Sequence, residues 1–481
     1  MIKNLENILG DIACPGQNLP TIDLVGVETN SANINRGDIF IAIVGNKADG
    51  HDYIEDAIDA GASAVVSCKE YTGKVSVPLI RVFNPRKAVS ALASEFYGNP
   101  SRGLKVIGIT GTNGKTTTAS LISSVLKKAG HKIAQIGTLG LISDDIEQID
   151  TLTTPDAITL QRTFSKLKAS EITHVIMEVS SHALDQERVA DVDFDIAVFT
   201  NLTPEHLDYH KTLDSYFESK LKLFKMLSQS SKSVVNTSTK YGQMIEAMST
   251  TPLISFFGEN DSSFNFSELE VSISGIKGII KAENEHYSIN SNLIGRFNSE
   301  NILAAVTVAH TMGEKKIDIQ DGIRACSLVP GRMESFITNN GVNVLIDYAH
   351  TPDSYLKVLK TVIEIKNGGE IFTVFGAGGD RDKTKRPEMA RIAEFYSKHC
   401  FITPDNPRGE NQYDIASDIE SGFIGSRYSI YNERGEGLRS AINRAVKNDI
   451  VLVLGKGREE YQEIEGEKFN YSDMQIIKEY L

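Results

Sequence analysis

The stretch Ile109-Thr110-Gly111-Thr112-Asn113-Gly114-Lys115-Thr116-Thr117-Thr118, "ITGTNGKTTT", decides how this chain is read. It follows the apolar run "LKVIGIT" (104 to 110) and leads into a segment with helical spacing. A Gly-rich turn between a buried strand and a helix start can wrap backbone N–H groups around phosphates. Lys115 then supplies positive charge, and a Thr hydroxyl can reach magnesium. ATP or GTP is the expected ligand. The general phosphate-loop spacing asks for glycine at 109, where this chain has Ile109 near Gly108 and Gly111, so the generic pattern misses by one position. A chance Gly-rich turn is the alternative; strand, loop, Lys-Thr-Thr and helix together weigh against it.

Downstream of this loop, strand-like and helix-like segments alternate: a helix from Lys115, "KIAQIG", a helix from Pro155, "HVIMEVS", "FDIAVFTN", a helix through Lys220 and "SVVNTS". Such alternation implies an α/β fold with a doubly wound parallel sheet. Upstream, "DIFIAIVG" (38 to 45) and "ASAVVSC" (62 to 68) alternate with helical segments, giving a small N-terminal α/β unit. "GNPSRG" (98 to 103) gathers turn formers and reads as a linker. Residues 253 to 294 alternate with Gly and Ser interruptions, which predicts hairpins, before a helix around "SENILAAVTVAH". Beyond "LVPGRMESF" (328 to 336), the strands "NVLIDYA", "EIFTVFGAGG", "HCFITPDN" and "DIVLVLGKG" predict a further open, Rossmann-like α/β domain. Three domains are therefore expected, at 1–100, 101–328 and 329–481.

Composition narrows the function classes. The 481 residues are 41% hydrophobic and 23% charged, as in a globular protein, and no apolar run approaches the roughly 18 residues needed to span a bilayer. The N-terminus "MIKNLENILGDIACPG" lacks a secretory signal pattern, so a cytoplasmic protein is expected without membrane insertion. Cys14, Cys68, Cys326 and Cys400 have no metal-ligand spacing and read as free thiols. A net charge of -13 argues against a nucleic-acid surface, so anion binding must be local.

Further motifs then bear on the chemistry. Glu178 ends the strand "HVIMEV" and His206 follows "FDIAVFTN", which allows both to sit at the carboxyl edge of a sheet where ligands bind. Together with "GTNGKTT", the segments "EVSSHALDQERV" (178 to 189), "NLTPEHLDYH" (201 to 210), "YFESK" (216 to 220), "GRFNSEN" (295 to 301), "PGRMESF" (330 to 336), "DYAHTPDS" (347 to 354), "GAGGDRDKTKRP" (376 to 387), "DNPR" (405 to 408) and "GKGREEYQ" (455 to 462) resemble the Mur ligase family of peptidoglycan precursor synthesis, nearly end to end. The later motifs resemble the branch that adds the third residue of the stem peptide. The resemblance implies an N-terminal domain for the UDP-sugar, a central ATPase and a C-terminal domain for the incoming amino acid. It implies phosphoryl transfer from ATP to the D-Glu γ-carboxylate of UDP-MurNAc-L-Ala-D-Glu, followed by attack of an amine on the acyl phosphate. A monomer is expected.

The same resemblance assigns roles to residues. Gly111, Thr112, Asn113, Gly114, Lys115, Thr116 and Thr117 would hold the ATP phosphates. Thr116, Glu178 and His206 would belong to a magnesium shell. Lys220, which reads on its own as a solvent-facing helix residue beside Lys222 and Lys225, would be carbamylated by carbon dioxide to N6-carboxylysine. Asn298 and Asn301 would bond adenine or cap a helix. Arg332 and Asp347 would reach the nucleotide. Thr29, Ser31 and the loop Asn46-Lys47-Ala48 would contact the uridine end. Thr153, Thr154, Ser180, Gln186 and Arg188 would hold sugar, pyrophosphate or peptide, with Thr154 as a helix N-cap the alternative. Arg381, Asp405, Asn406, Pro407, Arg408, Gly455 and Glu459 would bind the amino acid. Arg408, fourth in "DNPR", goes with meso-diaminopimelate, whose distal carboxylate a guanidinium fork can receive; the alternative is that Arg408 caps a loop or pairs with Glu410. The chain departs from the family at Ala32, Arg458 and "NTST" (236 to 239). Two rivals are a folate polyglutamate ligase, which lacks the UDP-sugar domain and "DNPR", and a nucleotide-dependent switch.

Overall fold

The computed structural model describes residues 2–45, 48–73, 75–146, 152–257, 263–272, 274–282, 284–366 and 368–481. They form two compact units, one of residues up to 111 with 130–199 and 214–254, the other of 112–129, 200–213 and 255–481. The division runs through the phosphate-loop stretch, between Gly111 and Thr112.

The first unit holds two sheets. Four short parallel strands, Val27–Glu28, Ile39–Ile41, Ala64–Ser67 and Leu79–Arg81, form the N-terminal sheet. Its core includes Ile39, Ile41 and Val66 with Leu92 from the helix Pro85–Phe96. Asn84 caps that helix by accepting from the amides of Arg86 and Lys87. The larger sheet runs in the order Lys232–Asn236, Ile196–Phe199, Lys105–Thr110, His174–Glu178, Ile133–Gly137 and Gly140–Ser143; all are parallel except the last. After Lys105, every residue of "KVIGIT" is buried, as expected for a strand covered on both faces. The expected linker is instead a 3-10 turn, Pro100–Gly103, with Pro100 and Ser101 buried. Ser101 Oγ accepts from the Asp193 amide at 3.2 Å, so this segment is fastened inside its unit.

In the second unit, the helix Lys115–Lys128 packs against the helices Phe297–Met312 and Lys316–Ala325, with Ser124 Oγ donating to the Gly322 carbonyl at 2.7 Å. The strands Phe264–Ser272, Gly275–Ala282 and Glu285–Ser291 pair antiparallel, the hairpins that the Gly- and Ser-interrupted pattern predicts. A six-stranded sheet follows in the order Glu334–Ile337, Asn343–Asp347, Ile450–Leu454, Ile371–Phe375, His399–Ile402 and Tyr428–Ile430, parallel after the first pair. Alternate residues serve opposite cores: Leu345 and Leu452 pack on one face, Val344 and Val451 on the other. Polar chemistry is thereby confined to the strand ends. Among the described residues, no helix is long and apolar enough to cross a membrane.

One buried ion pair fastens the C-terminal helices to this sheet. Arg434 and Asp473 have fully buried side chains; Arg434 Nε and Nη2 donate to the Asp473 carboxylate at 2.9 and 2.8 Å, and Nη2 also donates to the Leu454 carbonyl at 3.0 Å. Removing one member strands the other's charge away from water. Arg434→Ala should therefore lower stability by about 3 kcal/mol or more, read as an earlier denaturant midpoint in equilibrium unfolding.

Candidate functional site

Around the phosphate loop, the second unit contributes a dense polar lattice. Thr112 N donates to the Asn201 carbonyl at 2.9 Å, Asn113 N to Asn201 Oδ1 at 3.0 Å, and Thr200 Oγ1 to the Asn113 carbonyl at 2.7 Å. Lys115 Nζ donates to the Thr112 carbonyl at 2.8 Å, curling over its own loop. Gly114 has φ of +88°, and a Cβ there would lie 2.3 Å from Asn301 Oδ1, so both conformation and space require glycine. Thr118 Oγ1 also donates to Asn301 Oδ1, at 3.3 Å, while Asn301 Nδ2 donates to Asn298 Oδ1 at 2.8 Å. Asn298 Nδ2 donates in turn to the Ile294 carbonyl, and neither asparagine is the N-cap of this helix, which is Arg296. The two asparagines thus brace the loop.

Arg332, Asp347 and Tyr348 line a cleft with Asn113, Thr116 and Asn301. Arg332 Nη2 lies 3.5 Å from Thr116 Oγ1. Asp347, at the end of its strand, accepts from the amides of Met333 (2.9 Å) and Ala349 (2.8 Å). Burial raises its carboxyl above the ordinary range despite those amides and the Arg332 charge. Glu205 behaves oppositely. Burial alone would raise it, but His350 at 3.4 Å, with His206 and Lys115 near, holds it ionised well below the usual range. His206 itself has φ of +56° and a partly exposed side chain 3.9 Å from Glu205. Neither Glu205 nor His350 was singled out from sequence; the signal lay in "TPEHLDYH" and "DYAH", where Glu205 adjoins His206 and His350 follows Asp347 by three residues.

Glu178 and Lys220 are buried in the first unit. Glu178 Oε1 accepts from Thr138 N at 2.9 Å and Oε2 from Thr138 Oγ1 at 3.2 Å. Lys220 is only 1% exposed, its Nζ donating to the Gly111 carbonyl at 2.9 Å and lying 4.4 Å above the Tyr216 ring. Lys222 and Lys225 on the same helix keep side chains 37% and 56% exposed, so the solvent-facing reading fails for Lys220 and holds for its neighbours. Among the described residues, no group of three or more His, Cys, Asp or Glu side chains is assembled to hold a metal.

The residues read as a sugar and peptide site also lie in the first unit. Thr154 Oγ1 donates to the Glu178 carbonyl at 2.9 Å and accepts from Ser180 N at 3.0 Å. Arg188 Nη1 donates to the Thr154 carbonyl, and its Nε and Nη2 donate to Gln186 Oε1. Thr154 is not the helix cap. Asp156 caps the helix Ala157–Ala169, so that helix begins two residues later than Pro155. Thr153 Oγ1 lies 3.3 Å from Thr138 Oγ1, joining this group to the residue that holds Glu178. Thr29 is half-buried, Ser31 opens a 3-10 turn capped by Asn30, and Ala48 is exposed. Asn46 and Lys47 lie outside the described residues.

The second unit gathers the amino-acid candidates at the carboxyl edge of its six-stranded sheet. Glu459 Oε2 accepts from Asn406 Nδ2 at 2.8 Å and from Lys456 Nζ at 3.0 Å, while Oε1 accepts from the Tyr348 hydroxyl at 2.9 Å. Burial opposes its ionisation, but Lys456 and these donors hold its carboxyl below the ordinary value. Lys456 is fully buried and also donates to Asn406 Oδ1 at 3.0 Å, with Asp405 at 3.9 Å. Gly455 has φ of +108°, and a Cβ would lie 2.4 Å from Asp405 Oδ2. Arg408 Nε donates to Glu463 at 3.1 Å and Nη1 to the Gly379 carbonyl at 2.9 Å, which excludes the pairing with Glu410. Glu410 instead takes Arg386, whose fully buried guanidinium also reaches Asp418 and the Gly378 carbonyl. The loop carrying Arg381 is closed against "DNPR" by Gly379 N donating to the Asn406 carbonyl and by Pro407, whose carbonyl leaves no room for a Cβ on Gly379. Lys456, Tyr348, Glu463 and Arg386 carry this site without having been singled out from sequence, because their roles depend on strand ends far apart in the chain.

A phosphate loop, together with polar loops at the carboxyl ends of parallel strands, defines a nucleotide-binding α/β protein. Three family models match it in succession: "Mur ligase family, catalytic domain" over residues 23–97, "Mur ligase middle domain" over 109–309 and "Mur ligase, glutamate ligase domain" over 331–457. A Bacillus velezensis protein named UDP-N-acetylmuramoyl-L-alanyl-D-glutamate--2,6-diaminopimelate ligase is 39% identical over 461 residues, covering 94% of this chain and 93% of its own. A solved structure of a ligase bearing that name is 29% identical, with a TM-score of 0.71, covering 100% of this chain and 98% of its own. The MurF ligase of Thermotoga maritima, solved with ADP, shares the fold at 20% identity and a TM-score of 0.61, covering 89% of this chain and 93% of its own. The chain belongs to the Mur ligase family.

Glu410 yields a pH prediction. Arg386, then Lys383 and the Asp380 amide, depress its carboxyl from 4.5 to about 2. A carboxyl lowered on folding stabilises the folded state above its unfolded pKa and ceases to do so as pH falls through the folded value. The stability difference between the wild type and Glu410→Gln should be full above about pH 4.5 and shrink progressively toward pH 2, as urea unfolding at stepped pH would show.

Proposed function

We propose that this chain is an ATP-dependent amide ligase that adds meso-2,6-diaminopimelate to the D-Glu γ-carboxylate of UDP-MurNAc-L-Ala-D-Glu in cytoplasmic peptidoglycan precursor synthesis. The observation that carries the amino-acid assignment is the seating of Arg408. Its Nε and Nη1 are taken by Glu463 and the Gly379 carbonyl, fixing the guanidinium plane, while Nη2 has no acceptor among the described residues. A fixed fork with an unused donor suits a carboxylate, which lysine lacks at its distal end and diaminopimelate has. The likeness to relatives named for that substrate supports the same reading. A folate polyglutamate ligase would leave the 1–100 domain and "DNPR" without a role, and a nucleotide switch would not need the amino-acid loops.

In this reading, residues 1–100 bind the UDP-sugar, 101–328 bind ATP, and 329–481 bind the amino acid in a monomer. Ser31, Thr29 and Ala48 contact uridine, and Thr153, Thr154, Ser180, Gln186 and Arg188 hold the sugar, pyrophosphate or peptide. The amides of Gly111 to Thr117 cradle the phosphates, with Lys115 swinging from the Thr112 carbonyl to the γ-phosphate. That phosphoryl group passes to the γ-carboxylate, giving an acyl phosphate and ADP. The diaminopimelate amine then attacks the acyl carbon, and phosphate leaves as the amide forms. Glu459 and Asn406 orient the amino acid, Arg381 and Arg408 its carboxylates, and the gain is largely one of position. Arg332, Asp347, Asn298 and Asn301 hold the nucleotide.

Glu178, Thr116 and His206 each carry a donor of a kind that a hard divalent cation accepts, and magnesium held by such donors would neutralise phosphate charge. Lys220 fits addition of carbon dioxide because carbamylation leaves one N–H on Nζ, so its bond to the Gly111 carbonyl survives while a carboxylate is added beyond it. The carbamate would be a further anionic oxygen donor of the same kind.

Steady-state ADP formation with UDP-MurNAc-L-Ala-D-Glu and a panel of diamino acids tests the assignment: turnover should need the UDP-dipeptide and favour diaminopimelate over lysine. Arg408→Ala should cost roughly 2 kcal/mol or more, about 30-fold, mainly as a raised KM for diaminopimelate. An unchanged diaminopimelate-to-lysine ratio of kcat/KM would refute the role given to Arg408.

Lys220→Ala should abolish turnover, with partial recovery on adding short carboxylates, whereas Lys222→Ala should remain close to wild type. Equal and modest losses from both would remove the carbamate from the mechanism.

A further inference from the structure

We propose that Tyr348 is a positioning residue that couples nucleotide binding to capture of the incoming diamino acid, an inference that rests on the ligase reading above. Its side chain serves both halves of the second unit's chemistry with different atoms. The ring carries the Arg332 guanidinium 5.1 Å from its centroid, and Arg332 reaches Thr116 of the phosphate loop. The hydroxyl donates to Glu459 Oε1 at 2.9 Å, on the carboxylate that also collects Asn406 and Lys456. Burial first, and then the Glu459 charge, keep the phenol protonated, so it acts as a donor throughout the working pH range.

The backbone ties the same two segments together. Tyr348 N donates to the Gly331 carbonyl at 2.9 Å, immediately before Arg332. Gly331 lies against the amino-acid loop: a Cβ there would stand 3.0 Å from Gly457 Cα and 3.0 Å from Arg458 N. Arg458 Nε donates to the buried Glu334 at 2.7 Å, and that same Glu334 oxygen accepts from Gly331 N at 3.1 Å. The turn bearing Arg332 and the loop bearing Glu459 are therefore fastened to each other through Glu334, and Tyr348 holds the turn by its amide and the loop by its hydroxyl. The ring lies between them, so close to the amino-acid loop that a Cβ on Gly457 would stand 2.8 Å from its Cδ2. A phosphate that draws Arg332 into place fixes the face on which the guanidinium lies, and with it the direction of the hydroxyl toward Glu459. Glu459 then meets the substrate ammonium already oriented. Linkage requires the converse as well: a bound amino acid should tighten the nucleotide by the same factor.

Ring and hydroxyl can be separated by substitution. Tyr348→Phe keeps the ring and removes the donor, so KM for diaminopimelate should rise about 10-fold with KM for ATP within about twofold and kcat largely kept. Tyr348→Leu removes both and should raise the two KM values together. Calorimetric titration of diaminopimelate with and without saturating ADP should show tightening of about 5-fold or more in the wild type, reduced toward unity in Tyr348→Phe. An unaltered coupling factor and KM in Tyr348→Phe, or equal rises in both KM values, would overturn the inference while leaving the ligase reading intact. A wild-type protein that forms no ADP with the UDP-dipeptide and diaminopimelate would overturn both.

Discussion

Strands buried on both faces leave no lateral surface for chemistry, and this constraint organises everything else in the molecule. In the six-stranded sheet, Leu345 and Leu452 face one core while Val344 and Val451 face the other. A polar group set in the middle of such a strand is desolvated and needs a partner from a neighbouring element, as Thr373 Oγ1 has in Ser397 Oγ at 2.7 Å. The polar residues therefore cluster where the strands stop: Asp347, Gly376 to Arg381, Asp405 to Arg408, and Gly455 to Glu459. Backbone N–H and C=O groups released from the ladder at those points become the fasteners between loops, as in the bond from Gly379 N to the Asn406 carbonyl.

The charges that matter are mostly ones that water does not reach. Lys220, Lys456, Arg386 and Arg434 are all essentially buried. Each is held by an acceptor from a segment distant in sequence: the Gly111 carbonyl for Lys220, Asn406 for Lys456, Glu410 and Asp418 for Arg386, Asp473 for Arg434. Such ions are poor sources of net stability because desolvation offsets much of their attraction. Their effect is geometric. A guanidinium or ammonium with every partner fixed permits few alternative loop positions, and the loops at the sheet edge inherit that definition.

Arg458 illustrates how a departure from a family pattern can be absorbed. Its guanidinium pairs in bidentate fashion with the buried Glu334, through Nε at 2.7 Å and Nη2 on the other oxygen. A long cation thus bridges from the amino-acid loop to the edge strand Glu334–Ile337, with its guanidinium carbon 6.0 Å from the centroid of the Phe336 ring. The partner that receives Arg458 is on a neighbouring element.

Much was legible from sequence because it depends on local periodicity and on residue types with few alternatives. The phosphate loop between a buried strand and a helix, the parallel strands, the hairpins of 264 to 291 and the Gly-rich turns follow from apolar runs and from glycines that only glycine can replace, such as Gly114. Glu178 and Asp405 could be placed at strand ends for the same reason. Tertiary structure alone decided the partners. Helical spacing in "YFESKLKLFK" puts Lys220 on the stripe of Tyr216, Phe217 and Phe224 and Lys222 off it, but only the packing of that helix shows that the stripe is buried with its lysine. Thr154 has a helix cap beside Pro155 as its alternative reading, yet it bonds across to Glu178 and Ser180, while Asp156 does the capping. Arg408 stands two residues from Glu410 but takes Glu463, because "DNPR" turns away and the strand Tyr461–Ile464 comes alongside. Sequence fixes which residues are capable of the chemistry through local backbone preference and side-chain type. Which of them meet is set by long-range packing, whose loop closures and shared burial have no signature in the spacing of neighbouring residues.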